Sequence, residues 1–79
     1  MESTHEQIKP TKEQFKDWLV IQKSGVTNMH DLPFVCAKSL HGLMEESCFY
    51  IMSHYEELMK EYKISYEDIT DQDIEDYAL

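Results

Sequence analysis

The stretch that decides the fold reads SGVTNMHD and spans residues 24–31. It lies between two segments of helical apolar periodicity, in a chain that has only two glycines. Gly25 stands where helices commonly end in a left-handed residue, and Val26 stands where a Schellman motif packs a side chain back on Ile21. The Asp31 carboxylate can cap the backbone amides that follow it. The stretch is therefore predicted to end one helix and to begin another.

The first helix is predicted over residues 12–24. Thr11 and Gln14 form a T-x-x-Q capping box, in which each side chain bonds the backbone amide of the other residue. The stripe expected to face the core has helical spacing and consists of Phe15, Trp18, Leu19 and Gln22, with Ile21 beside it. The side chains expected to face water are those of Lys12, Lys16, Asp17 and Lys23.

Two further helices are predicted after the turn. Helix 2 covers about residues 32–41 and offers the core Phe34, Val35, Ala37, Ser39 and Leu40. Helix 3 covers about residues 44–63 and has the clearest helical period of the chain. Its stripe consists of Met44, Cys48, Ile51, Met52, Tyr55, Leu58, Met59 and Tyr62.

The two ends of the chain differ from this central part. Residues 1–10 show no periodicity and are predicted to be a flexible lead-in to a helical domain of residues 11–63. Residues 64–79 form an acidic segment whose thin apolar strip fits one short helix and consists of Ile64, Ile69, Ile74 and Tyr77. We expect this segment to become ordered when it docks on another surface. The predicted fold is all-α, a small bundle of three main helices with a short acidic C-terminal helix.

Charge is the strongest compositional feature. The chain has 16 acidic and seven basic residues and a net charge of −9, and every base is a lysine. Residues 64–79 alone carry six acids and no base. Such a chain repels phosphate backbones and lacks the arginine fork that usually reads bases and phosphates. Helices 2 and 3 could mimic a helix-turn-helix, but the sign of helix 3 is wrong for a DNA groove. No direct binding of nucleic acid is expected.

Catalytic and metal-binding patterns are not recognisable in the sequence. The spacings of the histidines and cysteines are mixed, whereas structural zinc sites usually have tight pairs of ligands. The residues concerned are His30, Cys36, His41, Cys48 and His54. Adjacent acids such as Glu45 and Glu46 point to different faces of a helix, and no nucleophile with a base and an orienting group is evident. We expect no metal, no cofactor and no enzymatic activity, and we expect both cysteines to be free thiols.

The concentrated negative charge indicates an interaction surface for a basic protein. Acids at spacings of one to three residues can imitate a row of phosphates in a nucleic-acid groove. The candidate contact residues are Glu67, Asp68, Asp71, Asp73, Glu75 and Asp76, with a second patch of Glu56, Glu57 and Glu61. Tyr66 and Tyr77 are candidate aromatic anchors, since interfaces favour tyrosine. The alternative is a dimeric structural or regulatory module that works through the face of helix 3 formed by Tyr55, Met59 and Tyr62.

The segment IQKSGVTNMHDLPFV, residues 21–35, resembles a family of small uncharacterised proteins of phages and mobile elements in low-GC bacteria. The similarity is most specific at the Ser-Gly-x-Thr-Asn-Met-x-Asp turn and extends from Phe15 to about Tyr62. The family has no assigned activity, and the acidic tail after Lys63 is additional to its pattern. The resemblance implies a phage or prophage accessory gene.

These observations lead to one functional expectation. Small acidic phage proteins without catalytic motifs often bind and block a host protein, and this is an analogy of class. We expect a non-enzymatic inhibitor of a basic, nucleic-acid-handling host protein, such as a CRISPR effector or another defence nuclease. The N-terminal MESTHEQIKP has no apolar signal region, and no window has the roughly 18–20 apolar residues of a membrane span. The expected location is the host bacterial cytoplasm.

Overall fold

The structure, a computed structural model, describes residues 7–77. Its elements in chain order are α1 (Lys12–Ser24), α2 (Leu32–Lys38), α3 (Glu45–Tyr62), a short 3-10 helix (Tyr66–Asp68) and α4 (Asp71–Asp76). Within the described residues there is no strand. The prediction of an all-α protein with three main helices and a short acidic C-terminal helix is confirmed.

Local signals set the ends of α1 as predicted. The Gln14 amide donates to Thr11 Oγ1 at 3.2 Å, and the Thr11 amide donates to Gln14 Oε1 at 3.0 Å, so both halves of the capping box form. At the other end Gly25 has a φ of 69°, the left-handed conformation that glycine adopts without steric cost. The signals that begin and end α1 therefore lie within four residues of each end of the helix.

The turn after α1 differs from the sequence prediction in two details. The Val26 amide donates to Ser24 Oγ at 3.2 Å instead of making the Schellman bond, and the Val26 side chain stays 38% exposed. The Asp31 carboxylate makes no capping bond. The turn is closed instead by Asn28, whose side-chain oxygen accepts from the His30 amide and whose carbonyl accepts from the Asp31 amide, each at 2.9 Å.

Helix α2 is shorter than predicted and ends at Lys38. Ser39 has extended backbone, and its Oγ accepts from the amides of His41 and Leu43 at 3.2 and 3.0 Å. This hydroxyl offers the following backbone an alternative to helical bonds, which is the usual way in which serine ends a helix. Residues 39–44 therefore form a loop that leads into α3, and Leu40, predicted to face the core, is exposed there.

Helix α1 lies at the centre of the core and contacts α2, α3 and α4. Its fully buried apolar side chains are Phe15, Leu19, Val20 and Ile21. The other elements contribute Leu32, Val35, Leu43, Cys48, Ile51, Leu58, Ile69 and Tyr77 to the same cluster. The Phe15 ring lies 5.9 Å from the Tyr55 ring and 6.2 Å from the Tyr62 ring, within the range of favourable aromatic pairs.

Both ends of the described chain pack on this core. Tyr62 donates its hydroxyl to the Pro10 carbonyl at 2.5 Å, and Pro10 is buried. In the C-terminal segment Ile69 is 2% and Tyr77 8% exposed. Of the predicted flexible lead-in, residues 1–6 lie outside the described residues, whereas residues 7–10 lie along α3. No helix within residues 7–77 is long and apolar enough to cross a membrane.

Candidate acidic interaction surface

A buried carboxylate fixes the C-terminal segment in place. Asp17 on α1 is fully buried and accepts hydrogen bonds from the hydroxyls of Ser39 and Tyr77. It also accepts from the His41 amide at 3.0 Å and lies 2.9 Å from His41 Nδ1. Asp17 thus joins α1 to the loop before α3 and to the end of α4. The expectation that Asp17 faces water is wrong, because these partners satisfy the carboxylate inside the protein.

The Asp17 cluster does not have the geometry of a serine hydrolase. In a catalytic triad the serine hydroxyl bonds the imidazole, and the carboxylate bonds the other ring nitrogen. Here the Ser39 hydroxyl bonds the Asp17 carboxylate itself, and its oxygen accepts from backbone amides. In this arrangement the Ser39 hydroxyl donates to a carboxylate and not to an imidazole. The cluster is therefore a structural junction.

Two lysines of α1 hold the C-terminal segment from outside. Lys16 Nζ lies 3.2 Å from the Asp73 carboxylate. Lys23 donates to the Ile69 carbonyl at 2.7 Å, and its ammonium lies 5.2 Å from the centre of the Tyr66 ring. These contacts, with the burial of Ile69, dock the acidic tail on the helical body. The segment has a fixed position although it carries six acids.

Two of the predicted contact acids are used to build the tail. Asp68 accepts from the Ser65 amide at 2.8 Å and begins the 3-10 helix. Asp73 accepts from the Thr70 amide at 2.9 Å and begins α4. The hydrogen bond from the Thr70 backbone, with that from Lys16, holds the pKa of Asp73 below its usual range. Both carboxylates form capping boxes, so their first role is structural.

The remaining tail acids face solvent and form what we call the tail surface: Glu67, Asp71, Glu75 and Asp76. Within residues 7–77 none of these four forms a salt bridge. Asp71 and Glu75 are four residues apart on α4, where like charges destabilise a helix. Asp76 lies at the C-terminal end of α4, where the helix dipole disfavours an anion. The helix dipole favours Asp71 in the first turn of α4 and disfavours Asp76, and none of the four carboxylates gains an ionic contact within the described chain.

The predicted second patch is divided. Glu61 pairs with Lys9 at 2.5 Å, and this hydrogen bond raises the pKa of Lys9. Both side chains are nearly half exposed, so the pair contributes little to stability. Glu56 and Glu57 are exposed and line a small notch on α3. The negative charge of this patch therefore rests mainly on Glu56 and Glu57.

The aromatic candidates lie mostly within the protein. Tyr77 is buried and bonded to Asp17, so its ring is not available to a partner, and Tyr66 is half-buried beside Lys23. The side chains of the alternative interface, Tyr55, Met59 and Tyr62, are each half-buried and pack against the core. Intramolecular packing thus uses much of the face that a second copy would need.

The two cysteines lie together where α2 meets α3. Their Sγ atoms are 4.0 Å apart, and both are free thiols. Burial raises the pKa of the Cys48 thiol to about 12, with a further contribution from Cys36, and burial also raises the pKa of Cys36. Within the described residues no group of three histidine, cysteine or acidic side chains could hold a metal ion.

These pKa values predict slow alkylation of the folded protein. We expect iodoacetamide at pH 8 to react with Cys48 about 1,000-fold more slowly in the folded protein than in urea, because the thiolate is the reacting form. Cys36, which is less buried, is expected to react before Cys48. Peptide mass spectrometry against time measures both rates. Equal rates for Cys48 in folded and unfolded protein would contradict its buried position.

Comparison with known proteins provides no relative from which a function could be transferred. No family model, no curated protein and no solved structure matches the chain. The function is therefore inferred from the geometry and the charge of residues 7–77. The stability of the fold alone does not explain the tail surface.

Proposed function

We propose that this protein binds a basic, nucleic-acid-handling protein through the tail surface and inhibits it by occupying the groove that a nucleic acid would use. One observation carries the proposal. The four carboxylates of the tail surface stand on a segment that is docked by Ile69, Tyr77 and two lysines, yet they have no ionic partner within residues 7–77. A partner with positive charge would supply what they lack.

The docked state of the tail supports this proposal energetically. A flexible acidic tail would lose conformational entropy when it bound, whereas a segment already held in place loses less. Its charges also keep a fixed spacing, which favours one complementary surface over others. The net charge of −9 further speeds encounter with a cationic groove.

The sign of the charge and the resemblance at the SGVTNMHD turn favour one kind of partner. A phage accessory gene meets bacterial defence proteins, and CRISPR effectors hold nucleic acid in positively charged channels. We therefore propose a CRISPR effector or another defence nuclease as the class of partner. The protein itself acts by occupancy, without catalysis.

A charge-neutralised variant tests the proposal. We expect the triple variant Asp71→Asn, Glu75→Gln, Asp76→Asn to capture about tenfold less of its partner from a bacterial lysate than the wild type does. The matched control neutralises three exposed acids outside the tail, Glu13, Glu45 and Glu46, each to glutamine. Quantitative mass spectrometry of the captured proteins measures the difference. Duplex DNA added to the lysate should compete for the same partner.

Two results of this experiment would contradict the proposed function. Capture of the same proteins by the triple variant and by the wild type, at equal yield, would contradict the proposal. Capture that duplex DNA leaves unchanged would contradict the occupied nucleic-acid groove. Circular dichroism shows whether all three proteins are equally folded, since every substituted side chain is exposed.

A further inference from the structure

Helix α3 is kinked near its middle. His54 has a φ of −129° and a ψ of 31°, which are not helical values. The imidazole stacks on the Tyr50 ring with centroids 4.2 Å apart, and His54 Nδ1 donates to the Tyr50 carbonyl at 3.1 Å. The His54 side chain thus bonds the carbonyl to which the His54 backbone amide would donate in a regular helix. Such an insertion is a recognised cause of a helix kink.

A notch lies on α3 at the position of the kink. Its volume is about 230 Å³, and its lining consists of Met52, Ser53, His54, Tyr55, Glu56 and Glu57. Pockets for drug-sized ligands are usually larger, roughly 300–1,000 Å³. The notch is therefore of a size suited to one long side chain.

The walls of the notch have two kinds of chemistry. Met52 is 47% exposed and offers an apolar surface, and Tyr55 forms a half-buried aromatic wall. Glu56 and Glu57 are exposed carboxylates at the rim, and no lysine is among the lining residues. Burial raises the pKa of the Tyr55 hydroxyl, and the charge of Glu67 raises it further, so the tail surface adds negative charge close to the notch.

We propose that the notch receives one arginine side chain of the basic partner, an inference that rests on the function proposed above. The aliphatic stem would lie on Met52, and the planar guanidinium would stack on Tyr55 and bond the carboxylates of Glu56 and Glu57. Arginine combines stacking on aromatic rings with bidentate bonds to carboxylates, whereas the ammonium of lysine is a strongly hydrated point charge. The tail surface and the notch then contact the same partner at two places.

A peptide titration tests the notch with the intact protein. The probe is acetylated tetra-arginine, and its matched control is acetylated tetra-citrulline, which has a similar shape and no charge. We expect the arginine peptide to shift the amide resonances of residues 52–57 in a saturable way and the citrulline peptide to leave them unchanged. Equal shifts with both peptides, or none at residues 52–57, would overturn the proposal.

A pair of double variants identifies the carboxylates. We expect Glu56→Gln with Glu57→Gln to weaken binding of the arginine peptide about fivefold, the size of two exposed ion pairs. Glu45→Gln with Glu46→Gln removes the same charge from the first turn of α3 and should leave this binding unchanged. Equal weakening by both double variants would overturn the notch as the site.

The same titration separates the notch from the function that it extends. Shifts confined to residues 66–76 would overturn the notch and leave the tail surface as the binding site. Shifts at residues 52–57 that grow with protein concentration, without peptide, would assign the notch to a second copy of the chain and also overturn the proposal. The lysate experiment with the triple variant of the tail surface tests the proposed function separately.

Discussion

Replacement of Asp17 by alanine is expected to lower the free energy of unfolding by about 3–5 kcal/mol, the size of two hydrogen bonds to a buried carboxylate. The variant leaves the hydroxyls of Tyr77 and Ser39 without their acceptor, whereas the His41 amide keeps its second bond, to Ser39 Oγ at 3.2 Å. Each buried donor without a partner costs stability. Urea unfolding followed by circular dichroism measures the change. It is a large fraction of the total stability of a small domain.

Asp31→Ala is the matched control for this prediction. Asp31 is exposed and makes no capping bond, so its loss should change the free energy of unfolding by less than about 0.5 kcal/mol. If Asp17→Ala is too unstable for a cooperative transition, Asp17→Asn keeps the shape of the side chain and gives a measurable, smaller loss. Equal stability of the Asp17 and Asp31 variants would disprove the role of Asp17 as a junction.

Ile69→Ala is expected to lower the free energy of unfolding by about 2–5 kcal/mol. Ile69 is 2% exposed and lies between the 3-10 helix and α4, so its truncation leaves a cavity where the tail meets α1. Because Ile69 is more deeply buried than any other described apolar residue of the tail, we also expect faster amide hydrogen exchange in residues 67–77 than in α1. Urea unfolding and hydrogen exchange measure the two effects.

Ile74→Ala provides the comparison within the same segment. Ile74 is half-buried, so the same truncation should cost clearly less than it does at Ile69. Equal losses at the two positions would show that the tail is held by its charges and capping bonds more than by Ile69. Unchanged stability in both variants would mean that the tail does not dock on α1 in solution.

The helices can be predicted from sequence because their signals are local. Thr11 and Gln14 are three residues apart, and Gly25 needs only its own φ to end α1. The early end of α2 is not predictable in this way, because Ser39 ends it through bonds to amides in the following loop. A serine inside an apolar period gives no sign of whether its hydroxyl will bond backbone or stay in the helix.

The buried position of Asp17 cannot be predicted from the periodicity of α1. Its partners Ser39, His41 and Tyr77 lie 22, 24 and 60 residues away in the chain. A helical wheel places a residue relative to its own helix and contains no information about these distant donors. The neighbouring Lys16 is partly exposed and pairs with Asp73. The predicted polar face of α1 is therefore correct at Lys16 and wrong at Asp17.

In the sequence the tail acids form one group, whereas in the structure their hydrogen bonds separate two capping acids from the four acids of the tail surface. Asp68 and Asp73 are three residues after Ser65 and Thr70, a spacing that by itself indicates capping boxes. This local signal is sufficient to separate the two capping acids from the tail surface. The burial of Tyr77 has no such signal, because it depends on Asp17, which is distant in the chain.

Three lysines link separate segments of the chain, and they affect any measurement of partner binding against ionic strength. Lys9, Lys16 and Lys23 each join one segment to another through an exposed or half-exposed contact. Counter-ions screen such contacts as well as attraction between two molecules. A dissociation constant measured at increasing concentrations of sodium chloride would therefore combine looser docking of the tail with weaker long-range attraction. Charge variants compared in one buffer of fixed ionic strength report the attraction between the two molecules alone.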